Sequence, residues 1–383
     1  MRFDFNPFYN PGENLPWRQW LQLFRDQVAV AEQVGFTTVW CPEHHFAHNG
    51  YLNASPNPIL MCADLGAHFD KIRLGQSAVI LPDWHPLRVA EDVAMLDHMT
   101  DGRVDFGAAA GTNERSCIQF NIDADKRNVA RNKALYHECL DIIIKAWTED
   151  PFSYQGEFYQ FPVPGWKETN RMFEPFDARY HAADGEYVGM YVHPRPLQQP
   201  HPPVWAMSNT PSTYSMAGLR GMRMVGMNMA PDNIAACWSE YQKGAAAGQG
   251  RHLRLGEGVG ICVVTYVGET WEAAQRDVRP AINQFFEFTS GARPHGAWAR
   301  KAYVNADEDL SIDDREADWF DFLTARDIIW VGSPEQVAQK VARCQDQFGL
   351  EHIMILQQLP GVSLKKILAS MTRFGEQVMS RFQ

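Results

Sequence analysis

Apolar residues in this chain switch repeatedly between a spacing of two and a spacing of three to four. Arg2–Pro7 alternates as a half-buried strand does, and Pro11-Gly12 breaks it. Trp17, Leu21, Phe24, Val28 and Ala31 then share one face of a helix over 16–34, which Gly35 closes. Thr37–Cys41 predicts a second strand and Ile72–Leu81 a third. A helix follows from His85 to Met99, with Val89, Val93 and Leu96 on one side. Arg103–Ala109 predicts a fourth strand, and about Asp125–Trp147 a long helix that buries Leu135, Cys139, Ile142 and Ala146.

The rhythm stops over 149–202, a stretch rich in aromatic residues, proline and glycine with no clear helix. So long an irregular stretch in a compact fold is usually a functional loop or lid. Strands resume at Pro203–Ser208, Met222–Met227 and Gly258–Val267. Helices resume near Pro211 and over Asp232–Ala247 and Trp271–Phe288. Residues 289–326 read as a second irregular insertion with one helical stretch. Ser333-Pro334-Glu335 starts a helix with an N-cap serine, a proline at the first position and an acid in the first turn, and Gly349 ends it. His352–Leu356 is a last strand and Leu364–Phe382 a last helix. These elements make about eight strand–helix units without an internal repeat. The expected architecture is α/β: a single (β/α)8 TIM barrel over 1–383, its two insertions lying over the C-terminal rim.

Bulk properties narrow the partners. With 45% hydrophobic and 21% charged residues among 383, the chain can bury a large core and is not of disordered composition. A formal net charge of -11 argues against nucleic acid or an anionic membrane as the main partner. Seven scattered cysteines without a Cys-x-x-Cys pair read as reduced thiols of a cytoplasmic protein. The first residues are already strand-like rather than a signal peptide, and no apolar run approaches the length of a membrane span.

Most of the chemical candidates fall just after a predicted strand, the rim on which barrels carry their chemistry. Glu43-His44-His45 follows the second strand, and a histidine there can move a proton near neutral pH or simply cap the strand. Gln76-Ser77-Ala78 lies within the third strand. Its small side chains would let a flat ring lie against the backbone, or would pack inward like any barrel layer. Ala108-Ala109-Ala110-Gly111-Thr112-Asn113 ends the fourth strand with residues that let N–H groups approach an anion. Ser208-Asn209-Thr210-Pro211-Ser212-Thr213 opens a helix with hydroxyls that suit a phosphate or merely cap it. His85 reads as structural. The aromatic residues of the first insertion could wall an apolar substrate, bury a lid or form an interface. His44 and His48, with Glu43, have a ligand-like spacing, but no later histidine or aspartate set joins them, which argues against a metal.

Together, Glu43-His44-His45-Phe46, Leu81-Pro82-x-x-His85-Pro86-Leu87-Arg88 and Ala90-Glu91-Asp92-x-x-x-Leu96-Asp97-x-Met99-x-x-Gly102-Arg103 resemble the bacterial luciferase-like flavin monooxygenases. Val331-Gly332-Ser333-Pro334-Glu335 is similar to the segment before their last strand, and the alkanal and limonene monooxygenase branches are the nearest in kind. The likeness covers most of the chain, 1–147 best and the insertions least. It implies a barrel that binds reduced FMN, delivered by a separate NAD(P)H-dependent flavin reductase, and reacts it with O2. The resulting flavin hydroperoxide would oxygenate a small apolar substrate. His44 matches the active-site histidine. Ser77-Ala78 matches the small pair under the ring, often joined by a cis peptide. Ser208, Asn209, Thr210 and Thr213 match the segment at the ribityl chain and phosphate. Ala109 stands where luciferases can carry a cysteine beside the flavin, and Ala110 where they carry a phosphate-binding arginine. Lys133 or Arg131 falls near the second basic phosphate position. A homodimer is expected by the same likeness. The rivals are a deazaflavin-dependent hydride-transfer oxidoreductase and a flavin-binding protein without catalysis.

Overall fold

A computed structural model describes residues 1–7, 15–46, 55–112, 114–291, 303–305, 318–357 and 359–382. The fold is the expected (β/α)8 barrel, in which parallel strands alternate with helices along the chain. The strands are Arg2–Asn6 (β1), Thr38–Cys41 (β2), Arg73–Gln76 (β3), Val79–Ile80 (β4), Val104–Ala109 (β5), Tyr154–Gln155 (β6), Gln160–Phe161 (β7), Val204–Met207 (β8), Arg223–Met227 (β9), Val259–Val267 (β10), Trp330–Gly332 (β11) and His352–Leu356 (β12). Two compact units divide the chain, residues 1–78 with 204–383, and residues 79–203.

In the first unit the parallel strands run β3, β2, β1, β12, β10, β9, β8, and β11 adds to the far end of β10. All nine residues of β10 are buried, as expected of a parallel strand covered on both faces. The helix Trp17–Val34 buries Trp20, Phe24, Gln27, Val28 and Ala31, a single stripe at helical spacing. Gly35 ends it in the left-handed region at φ 91°, with its N–H on the carbonyls of Ala31 and Glu32. The helix Pro334–Phe348 opens with a capping box in which Ser333 and Gln336 bond each other's backbone, and Gly349 ends it at φ 64°.

Alternation gives β1 a polar inward set. Asp4 is fully buried, and its carboxylate accepts from Arg2 Nε at 3.0 Å and from Trp40 Nε1 at 2.8 Å. His352 Nε2 lies 2.8 Å from the same carboxylate. Arg2 also reaches Thr38 Oγ1 at 2.7 Å and covers the Trp205 ring at 4.8 Å. Burial alone would push the Asp4 carboxyl up, but the charges and hydrogen bonds of His352 and Arg2 outweigh it and hold the group below the usual range.

The helices Pro211–Leu219 and Pro231–Gln249 touch backbone to backbone. A Cβ on Gly244 would sit 1.9 Å from Ser215 O, and one on Gly218 would sit 2.2 Å from Tyr241 O. Gly244→Ala gains about 1 kcal/mol of helix propensity. Forcing two backbones apart costs about 1–3 kcal/mol, and contact this close falls at the upper end. We expect a net loss of stability and a lower denaturant midpoint; an unchanged midpoint would mean the helices do not meet this way.

In the second unit β4 pairs with β5, and the helices Pro86–Met99 and Val129–Thr148 are linked by Trp147 Nε1 donating to Ala90 O at 2.9 Å. Residues 149–202 contain no α-helix. They hold the β6–β7 ribbon and isolated bridges such as Phe152 to Met190. Glu138, buried on the long helix, fixes that ribbon by accepting from the backbone N–H groups of Glu157, Phe158 and Tyr159 at 2.7–3.0 Å.

Four boundaries differ from expectation. The strand expected over Ile72–Leu81 is two strands, interrupted at Ser77-Ala78, and it ends before Pro82, which has no N–H for a ladder. The helix expected from Asp125 begins at Val129, because Asn128 caps it by accepting from Arg131 N. Ahead of it lies the short helix Glu114–Phe120, which sequence periodicity does not resolve. The last helix is α-helical only over Leu364–Arg373 and continues as a π-turn, Phe374–Val378. Of the second expected insertion, 292–302 and 306–317 lie outside the described residues, and the helix Trp319–Ala325 supplies the expected helical stretch.

Candidate active site

The end of β2 turns its alternate residues to opposite sides. Trp40 faces inward onto Asp4, and the chain then leaves the strand as Cys41-Pro42-Glu43-His44-His45. Glu43 is buried, and its Oε1 lies 2.7 Å from His45 Nε2. His45 is also buried, so these two form an inward carboxylate–imidazole pair. His44 differs from its neighbour: it is half-buried, and its backbone N–H donates to Ser55 O at 3.0 Å. The sequence signal therefore splits into a buried Glu43–His45 pair and a half-buried His44. His48 lies outside the described residues.

Asn6 ends β1 on the inward face, 2% exposed. Its amide N–H group reaches Ser77 Oγ and Met354 Sδ, each at 3.5 Å, while its Oδ1 is buried with no partner among the described residues. The Ser77–Ala78 peptide bond is cis, and both residues are half-buried. Gln357 follows Leu356, the register partner of Asn6, and both polar atoms of its buried amide lack partners among the described residues. Buried amides left unpaired cost free energy unless something bonds them. A flat heteroaromatic ring with N–H and C=O edges, laid against the small Ser77-Ala78 pair, supplies those partners, so the residues present fit a flavin ring. Sequence reasoning singled out Ser77 and Ala78 but not Asn6, whose signal was only the polar alternation Arg2, Asp4, Asn6.

The segment after β8 is ordered by local hydrogen bonds at the start of the helix Pro211–Leu219. Ser208 Oγ accepts from Thr210 N at 3.1 Å, and Thr213 N donates to Thr210 O at 2.9 Å. Thr210 stands at the N-cap of Pro211–Leu219 without a side-chain cap bond, and the first turn holds no acid. The Asn209 amide is engaged at both ends, with Nδ2 on Met227 O and Oδ1 on Met227 N, each at 2.8 Å. Its part is to pin this loop to β9.

In the second unit β5 ends at Ala109, half-buried and paired with Ile80. Of the two basic residues noted in the sequence, Arg131 is committed to Asp123 at 2.8 Å and Glu157 at 2.7 Å, and Lys133 is exposed. The sequence reading passed over Lys126, whose Nζ donates to Ala110 O at 3.2 Å and Asn132 Oδ1 at 2.9 Å. His85 stands at the N-cap position of the helix Pro86–Met99 without a side-chain cap bond and packs edge-on to Tyr159 and Phe161, with burial pushing its pKa down, in keeping with a structural role.

Comparison with known proteins adds an independent line. A family model described as luciferase-like monooxygenase matches residues 7–351. The oxygenase component of the flavin-dependent trigonelline monooxygenase of Acinetobacter baylyi is 24% identical over 359 residues, covering 92% of this chain and 87% of its own. An uncharacterized protein of Sinorhizobium fredii is 29% identical over 196 residues, and the chain spans about half of its length, 46%. Among solved structures, the oxygenating constituent of 3,6-diketocamphane monooxygenase from Pseudomonas putida, a type II Baeyer–Villiger enzyme in complex with FMN, superposes with a TM-score of 0.76 at 21% identity. That likeness covers 100% of this chain and 98% of the other.

Proposed function

The chain belongs to the luciferase-like monooxygenase family, and on that premise we propose that it is the oxygenase component of a two-component, FMN-dependent monooxygenase acting on a small apolar compound. Reduced FMN would come from a separate NAD(P)H-dependent reductase, a reading supported by the trigonelline relative's being named an oxygenase component. When bound, the reduced flavin supplies the electrons that activate O2. The protein's share is to bind, orient and exclude water. Asn6 and the Ser77-Ala78 pair hold the ring, Ser208, Thr210 and Thr213 hold the polar tail, and His44 moves the proton. We further propose a cytoplasmic location, in keeping with seven unpaired cysteines, and, on the family likeness alone, a homodimer; no helix among the described residues is long and apolar enough to cross a membrane.

The observation that carries this reading is the juxtaposition at one strand-end layer of a buried, partnerless Asn6 oxygen and the Ser77–Ala78 pair. Anaerobic titration of the purified protein with reduced FMN and with a reduced deazaflavin tests it. We expect reduced FMN to bind more tightly, and O2 uptake to follow on mixing with air. Preference for the deazaflavin without O2 uptake would assign the protein to hydride transfer instead.

A further inference from the structure

We propose that Asn6 makes the site selective for the reduced form of the flavin: its buried side-chain oxygen accepts from the N–H at the ring nitrogen that a deazaflavin replaces with carbon. The inference rests on the flavin reading above. It adds to that reading the residue that separates reduced FMN from oxidised FMN and from a deazaflavin.

Asn6 ends β1 among apolar neighbours. Its register partner on β12 is Leu356, and Met354, two residues earlier on that strand, touches its amide. Both are buried. The two ends of the amide stand in different surroundings. Nδ2 faces Met354 Sδ and Ser77 Oγ, each at 3.5 Å. A thioether accepts a hydrogen bond and cannot donate one, so the N–H end of the amide belongs on that side. The oxygen is then turned away from it, and no described residue meets it. An amide oxygen on a residue only 2% exposed needs a donor. Because Asn6 touches Ser77 itself, its amide adjoins the pair on which the ring is proposed to lie.

The edges of a flavin differ in what they offer. The pyrimidine edge runs carbonyl, N–H, carbonyl, and a side-chain amide matches it by using its oxygen and its N–H group together. Asn6 presents the oxygen alone. The central ring nitrogen carries a single donor when the flavin is reduced and only a lone pair when it is oxidised. In a reduced deazaflavin a carbon stands there, which donates no such bond. A lone buried acceptor suits the first of these and is left unpaired by the other two, which is selection by penalty. A chain that receives its flavin from another protein gains by this, because it takes the cofactor up reduced and lets it go once oxidised.

The test compares FMN with its deaza analogue, which differs only by carbon in place of that nitrogen, each reduced and oxidised, under anaerobic conditions. In the wild-type chain reduced FMN should bind about 5- to 150-fold more tightly than the reduced analogue, the weight of one buried acceptor left unpaired. Asn6→Leu is of similar size and suits the apolar neighbours. It should erase that margin and narrow the gap between reduced and oxidised FMN by a similar factor. A folded Asn6→Leu protein that keeps the margin would overturn the assignment. Should the variant not fold, NMR of nitrogen-labelled reduced FMN on the wild-type protein decides. The proton on that nitrogen should be protected from exchange, and a freely exchanging proton would reject the contact. If the wild type binds both reduced forms equally, the Asn6 oxygen meets a water or another part of the ring, and this proposal fails while the flavin reading stands. Binding of neither compound in either redox state would bring down the flavin reading itself.

Discussion

Asp4→Asn should destabilise the protein by about 3–5 kcal/mol, the range for removing one partner of a buried ionic cluster. Asp4 is fully buried and is the acceptor on which Arg2, Trp40 and His352 converge. Asparagine keeps the shape but removes the Asp4 charge from beside the Arg2 guanidinium, whose side chain is only 19% exposed. Contrast Arg88, 65% exposed and paired with Glu91 and Asp92 on a helix surface, where such pairs contribute about 0–1 kcal/mol. The pH dependence follows from the direction of the Asp4 shift. Its folded pKa lies below the ordinary value of 3.8, so its contribution is fully present above that value and is lost as pH falls through the folded pKa. Denaturant unfolding of both proteins across the acid range should therefore show the widest gap near neutrality, narrowing in acid as the wild-type carboxylate protonates. A gap below about 1 kcal/mol at neutral pH would place Asp4 with the surface pairs.

The same cluster shows what sequence could and could not convey. The strand Arg2–Asn6 was readable from alternation, and so was the fully buried run Val259–Val267, because burial on one or both faces leaves a period in the chain. The pairing of Asp4 with His352 spans 348 positions and leaves no local trace. Trp330–Gly332, three residues long, is too short to show a period. At the site, Glu43-His44-His45 was legible because an acid and two imidazoles directly after a buried strand stand on the rim where a barrel does its chemistry. Which histidine was paired was not legible, since the choice is made by the 2.7 Å contact of His45 with Glu43. Lys126 sits in Asp123-Ala124-Asp125-Lys126-Arg127, which reads as a solvated charge run. Only the fold shows that the flanking acids are taken by Arg127 and Arg131, and that Lys126 turns to a strand end instead.

Under the proposed function, His44→Ala should lower product formation by on the order of 100- to 10,000-fold, the usual weight of a positioned acid–base group, while the fold stays intact. The half-buried His44 side chain is not the imidazole that meets Glu43, so its loss leaves the Glu43–His45 contact in place. His45→Ala is the matched control. It leaves the buried Glu43 carboxylate without its imidazole, so stability as well as activity should fall. Three readouts separate the roles: melting temperature, O2 uptake with reduced FMN, and product per flavin oxidised. For His44→Ala we expect an unchanged melting temperature and continued O2 uptake with almost no product, the electrons leaving as peroxide. If product per flavin is unaltered, His44 has no part in the chemistry, and the proton transfer must be sought elsewhere on the rim. If O2 uptake also disappears while reduced FMN still binds, the histidine acts earlier, in the reaction of the flavin with oxygen. A loss of reduced-FMN binding would make it a ligand of the cofactor rather than a proton carrier.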